Sequence, residues 1–142
     1  MLKLSFFGPP SYHRMEGGVS KPWYDLYSNE NCTVVGDDTN RSYRYPNGMQ
    51  IVQMRYAVTA TIGNAWGVLY ETADITPPNY VQGFAAAPSV TVQASANTGA
   101  YCMIEVGGGA TNARGPVFNL VRPNTAVSQS YWINITAIGR WF

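Results

Sequence analysis

The carboxylates set the first limit on chemistry. Near the segments of regular alternation the chain carries Glu71, Asp74 and Glu105. Hydrolysis of a glycosidic bond needs two such groups flanking one bond. Glu71 and Asp74 are three residues apart, which on a strand puts them on opposite faces, and Glu105 stands alone. All three read as solvated surface acids. The single histidine, His13, precedes Gly17-Gly18 outside the alternating segments. A Ser/His/Asp constellation is therefore unsupported, and one histidine argues against a zinc site within one chain. Gly107-Gly108-Gly109 lacks the Gly-Lys-Ser/Thr ending and the helix of a phosphate loop, so it reads as a flexible connection. Cys32 and Cys102, the only cysteines, read as reduced thiols. The expectation is a chain without catalysis, metal or cofactor.

Binding chemistry is better represented. A saccharide is held by aromatic faces for stacking and by amides and hydroxyls for hydrogen bonds. Three short stretches combine an amide with a following aromatic: Asn64 with Trp66, Asn97 with Tyr101, and Asn124 with Tyr131. For any one of these residues, a place in the core or in a turn is the stronger reading. The recurrence of the pair is what singles out the set.

Composition constrains what can hold these groups. The chain has 142 residues, enough for one domain with an appendage. Charged residues are 12%, well under the roughly 25% usual in globular domains. Hydrophobic residues are 46% and aromatics 13%, which argues against disorder. A net charge of +1 predicts no electrostatic footprint for nucleic acid or an anionic membrane. No apolar run is long enough to cross a bilayer as a helix. The stretch 1–7 is too short for a secretory leader and reads as a strand ended by Gly8-Pro9-Pro10.

Period-two alternation dominates the remainder. It predicts six strands: 49–59, 65–75, 89–94, 101–106, 116–121 and 131–141. Val52, Met54, Tyr56 and Val58 share one face of the first. Thr76-Pro77-Pro78-Asn79 ends the second, because proline cannot donate to a ladder. The last segment, Tyr131 to Phe142, is apolar on both faces and must be tied down in a sheet or against a neighbour. Before residue 40 the alternation fades. Residues 21–29 read as extended, Asp37-Asp38-Thr39-Asn40 as a linker, and a boundary is expected near Asn40. The fold class expected is all-β, a six-stranded antiparallel β-sandwich over 41–142 with an irregular segment over 1–40.

Three patches carry a family resemblance. Tyr45-Pro46-Asn47-Gly48-Met49 resembles the opening of a domain found at the C-terminus of many bacteriophage tail fibres. Phe84-Ala85-Ala86-Ala87-Pro88-Ser89-Val90 resembles that family's lead into its third strand. Trp132 through Ala137-Ile138-Gly139-Arg140-Trp141 resembles its ending, and Trp23-Tyr24-Asp25-Leu26-Tyr27 is similar to a fibre-shaft segment. That domain is similar in turn to the H-type lectins. The resemblance implies a trimeric, lectin-like receptor-binding tip at 41–142 and a shaft-end or collar segment at 1–40. It implies a virion component, assembled in the host cytoplasm and joined to an upstream fibre or baseplate protein. The partner implied is a host cell-surface glycan or other receptor. A structural trimerisation cap and a secreted lectin are the alternatives. The 65–75 stretch matches no signature of the family.

The tail-fibre reading also gives the sheet a direction. If each strand reverses the last and the shaft joins the first, the loops near 61–65, 95–100 and 123–130 lie at the distal end. Those loops carry Asn64, Trp66, Asn97, Tyr101, Asn124 and Tyr131, the expected ligand-binding set.

Overall fold

The computed structural model describes residues 13–16, 19–22, 32–96 and 102–142, and the regular structure in them is all β. In chain order the strands are β1 (His13–Glu16), β2 (Val19–Pro22), β3 (Thr33–Gly36), β4 (Asn40–Arg44), β5 (Met49–Ile62) and β6 (Asn64–Trp66), followed by β7 (Leu69–Glu71), β8 (Ser89–Ala96), β9 (Met103–Val106), β10 (Phe118–Arg122) and β11 (Ala126–Arg140). The strand expected over 1–7 and the extended segment after Pro22 lie outside the described residues, as do Asn97 and Tyr101.

β1 and β2 pair with each other. The other nine strands form two antiparallel sheets, of order β3-β4-β5-β11-β8 and β6-β7-β10-β9. β11 is the spine of the larger sheet. Residues 131–138 are bonded on both sides, to β5 along one edge and to β8 along the other. Its alternation decides the layering. Tyr131, Ile133, Ile135 and Ala137 point inward with Val52 and Met54 of β5, and they meet Phe118 and Leu120 of β10. Burial of each large side chain contributes roughly 1.5–3 kcal/mol.

The expected strand over 65–75 is folded on itself. Gly67 adopts φ +62°, a left-handed conformation that a β-carbon disfavours. The chain therefore reverses there, and β6 pairs with β7. Residues 72–75 then run beside β10: the Thr72 amide donates to Leu120 O at 3.0 Å, and Ile75 and Phe118 exchange backbone bonds at 2.8 and 3.1 Å. The six-strand expectation thus becomes nine strands in two sheets, because it missed this hairpin and β3–β4.

The stretch expected as a linker is the tight turn between β3 and β4. Asp37 Oδ1 accepts from the Thr39 amide at 2.7 Å, the Thr39 hydroxyl at 2.7 Å and the Asn40 amide at 3.0 Å. Gly36, at φ +106°, lies where an added β-carbon would strike Asn40 O. β3 lies before residue 40 and pairs with β4, which begins at Asn40.

The segment between β7 and β8 closes the core. Tyr80 and Phe84 stack edge-to-face at 5.2 Å, and Phe84 and Pro88 sit directly over Gly139 of β11. The Phe84-to-Pro88 spacing thus has a physical basis: it carries the chain across β11 into β8. A β-carbon at Gly139 would come within 2.9 Å of Phe84 and 3.1 Å of Pro88. Burial pushes the Tyr56 and Tyr80 phenols up to about 12, so both remain neutral in the core. The C-terminus is tied down within the chain: the Trp141 indole donates to Tyr45 O at 3.0 Å and its amide to Gly48 O at 3.1 Å. No helix among the described residues is long and apolar enough to cross a membrane.

Gly139→Val is expected to displace Phe84 and cost about 1–3 kcal/mol, the usual penalty of overpacking, read as a lower urea midpoint. Hydrogen bonds from Thr39, then from the Asn40 amide, hold the Asp37 carboxyl below its ordinary 3.8. Its contribution to the β3–β4 turn is present above that value and is lost as pH falls through the depressed folded-state pKa. Thr39 and Asn40 amide shifts, followed by NMR, are expected to titrate with a midpoint below 3.8.

Candidate functional site

Strand direction brings three chain reversals to one end of the sheets. β3 starts level with Arg44 and Gln50, which defines the near end. At the far end, Ala126 pairs with Ile62 and Tyr131 with Ala96. The ends of β5 and β8 and the turn from β10 to β11 therefore lie together. The β6–β7 hairpin stands beside them, because Tyr70 pairs with Arg122.

The expected site residues divide three ways. Asn64 is exposed at the start of β6, Trp66 is 47% exposed near the hairpin tip, and Asn124 is exposed in the β10–β11 turn. These three are brought to the far end. Asn97 and Tyr101 lie in the connection from β8 to β9, outside the described residues. Tyr131 is fully buried and belongs to the core, so its ring face is closed to a stacking ligand. The reason is parity: Tyr131 faces inward with Ile133, Ile135 and Ala137.

Sequence reasoning missed the rest of this end. The stretch 123–130 was expected as a loop, but β11 begins at Ala126 and carries a register shift before Gln129. Ser128 takes φ +47°, which is costly for a residue with a β-carbon. Its amide donates to Thr61 Oγ1 at 3.2 Å. Gln129 Oε1 accepts from Arg122 Nη1 at 2.9 Å and from the Tyr131 hydroxyl at 3.2 Å. Arg122, Thr125, Val127 and Ser128 thus line a shallow, open depression beside Asn124. Val68 and Val127, at 92% and 81% exposure, add apolar surface to the same end. The signal in the sequence was the charge of Arg122 just before a Pro-Asn turn, beside a polar run too short to read as a strand.

Glu105 stands opposite Asn119 in the β9–β10 ladder. The Asn119 amide donates to Asp74 Oδ1 at 3.2 Å and to Thr72 O at 2.9 Å. Among the described residues no three His, Cys, Asp or Glu side chains group as a metal site. No disulfide joins Cys32 to Cys102. Burial raises the Cys102 thiol pKa, with Arg122 opposing the rise.

No protein-family model matches the chain. No curated protein matches it either. Among solved structures it is similar to the C-terminal part of the R1 pyocin fibre of P. aeruginosa, at 15% identity and a TM-score of 0.52, over 96% of this chain and 40% of that one. It also matches the tailspike gp61 of Pseudomonas phage phi297, at 15% identity and a TM-score of 0.40, over 65% of this chain and 16% of the tailspike. This chain thus spans less than half the length of either. At these identities the likeness is one of fold, and the fold is of a kind present in a pyocin fibre.

Gln129→Ala is expected to lower stability by about 1–3 kcal/mol, because the buried Tyr131 hydroxyl loses its acceptor. Denaturant unfolding of the variant checks this.

Proposed function

We propose that this chain is the receptor-attachment tip of a phage-type tail fibre. On this reading it holds a bacterial cell-surface glycan at the far end, without catalysis. The observation that carries it is the convergence of exposed Asn64, Trp66 and Asn124 at the end opposite the start of β3. The likeness to a pyocin fibre supports the fold only. Asn97 and Tyr101 complete the proposed contact set from the connection after β8, and Arg122, Thr125 and Ser128 join it. Tyr131 supports the site from beneath. Shallow saccharide sites gain strength from multivalency, so three weak sites on a homotrimer suffice for attachment. Residues 1–40 are proposed as the shaft-end or collar segment, with β3 docking it to the tip at 41–142. The fibre belongs to a virion and joins an upstream fibre or baseplate protein.

A trimerisation cap is the second reading. Exposed apolar residues favour it: Phe142 is 61% exposed, and Met103, Val106 and Ile138 are each about half exposed. Such groups suit contacts between copies.

Asn64→Ala and Asn124→Ala together are expected to reduce adsorption to host cells severalfold, and Trp66→Ala to do so further. Oligomeric mass by light scattering and melting temperature are expected to stay as in the parent chain. Unchanged adsorption in both the double variant and Trp66→Ala would leave the cap reading in place.

A further inference from the structure

We infer that the outer face of the five-stranded sheet carries a second binding site, specific for the oxyanion group of an acidic saccharide. This goes beyond attachment at the far end and uses none of its residues.

The face is set by the parity that fills the core. With Val52 and Met54 inward, Gln53, Arg55 and Ala57 of β5 point out. With Ile133 and Ile135 inward, Trp132, Asn134 and Thr136 of β11 point out. Register then aligns these side chains in rows across the sheet. Arg41 pairs with Gln53, Gln53 with Thr136, and Thr136 with Thr91. In the next row Arg55 pairs with Asn134 and Asn134 with Gln93. In the third, Ala57 pairs with Trp132 and Trp132 with Ser95. A depression of about 300 Å³ opens over these rows; its polar lining is Asp38, Arg41, Tyr43, Gln53, Arg55, Asn134 and Thr136.

The strands of this face carry a positive bias. By parity Arg41, Arg55 and Arg140 point out from it, the first two over the depression, and none of the outward residues of β4, β5, β8 and β11 is acidic. Asp38, in the β3–β4 turn at the rim, is ion-paired with Arg41. Arg55 is different. Its guanidinium lies 4.6 Å from the centre of the Trp132 ring. The contact holds the guanidinium over the ring, and its donors have no acceptor among the described residues. A guanidinium in that state matches a carboxylate or phosphate through paired, charge-assisted bonds. Asn134, in register with Arg55, makes no side-chain hydrogen bond among the described residues. With Gln53 and Thr136 it offers the donors and acceptors that sugar hydroxyls need. The ligand that answers all of these is a saccharide bearing a negative charge.

The test is calorimetric titration of the full chain with three probes: an oligogalacturonide for the carboxylate, a phosphomannan oligosaccharide for the phosphate, and maltotetraose as the neutral control. At least one anionic probe is expected to bind more tightly than maltotetraose and to weaken with added NaCl. The tighter of the two identifies the oxyanion. Arg55→Gln is expected to weaken it about tenfold or more, the loss that accompanies a bond to a charged group. Arg55→Lys is expected to keep part of the binding, and Asn64→Ala with Asn124→Ala all of it. Retention of full affinity by Arg55→Gln, or no preference for either anionic probe over maltotetraose, overturns the proposal. So does a change of oligomeric mass in Arg55→Gln, which would assign this face to contact between copies.

Discussion

Everything in this fold depends on the double ladder of β11. Over residues 131–138 the strand is hydrogen-bonded along both edges, so its backbone groups are satisfied without solvent. Only then can Tyr131, Ile133, Ile135 and Ala137 be buried together. Two consequences follow from the same geometry. The inward set forms the core, and the outward set of Trp132, Asn134 and Thr136 gives each of the three rows of the polar face its central member. A strand with a period of two cannot shift by one residue without exchanging these sets.

Close approach at Gly139 ties the irregular segment to that ladder. Phe84 and Pro88 lie where a β-carbon would stand, and the Ala85 amide donates to Arg140 O at 2.8 Å. The near end is locked by the Trp141 indole on Tyr45 O and by Arg44 over the Trp141 ring at 5.2 Å. Among the described residues the far end has no such aromatic lock and is tied by side-chain hydrogen bonds, Ser128 to Thr61 and Arg122 to Gln129. It is built from short pieces: a three-residue hairpin arm, a tight turn and a bulge with Ser128 in a strained conformation. The stability of the sheets and the exposed chemistry of the far end thus sit at opposite ends of the same strands, as is common where binding groups are carried on loops of a rigid scaffold.

Much of this was legible in the residues themselves. The alternation from Val52 to Val58 and from Ile133 to Ala137 marks the inward faces, because burial of one face of a strand requires it. The Phe84-to-Pro88 spacing marks the lead into β8. Other features were hidden for definite reasons. Gly67 stands in a run that alternates tolerably across it, so the hairpin there shows only in its positive φ. Asp37-Asp38-Thr39 reads as a linker because polar turns and linkers share a composition; the turn is decided by three bonds to one carboxylate oxygen. Tyr131 resembles an exposed binding aromatic until parity with Ile133 turns it inward.

What the sequence by itself determined is the class of structure and its faces: period-two strands, a low charge, and a C-terminal strand too apolar to stand in water. Those follow from local stereochemistry and from the cost of exposing hydrocarbon. Which strands neighbour one another was decided only by tertiary structure. Pairing of β11 with both β5 and β8 joins residues from 35 positions apart (Tyr131 with Ala96) to 91 apart (Arg140 with Met49), and no local pattern encodes that choice. The rows of Arg41, Gln53 and Thr136, and of Arg55 and Asn134, exist only once that choice is made. So does the placement of Arg55 on Trp132, because a diagonal contact between strands depends on register, and register is set by the packing of the opposite face.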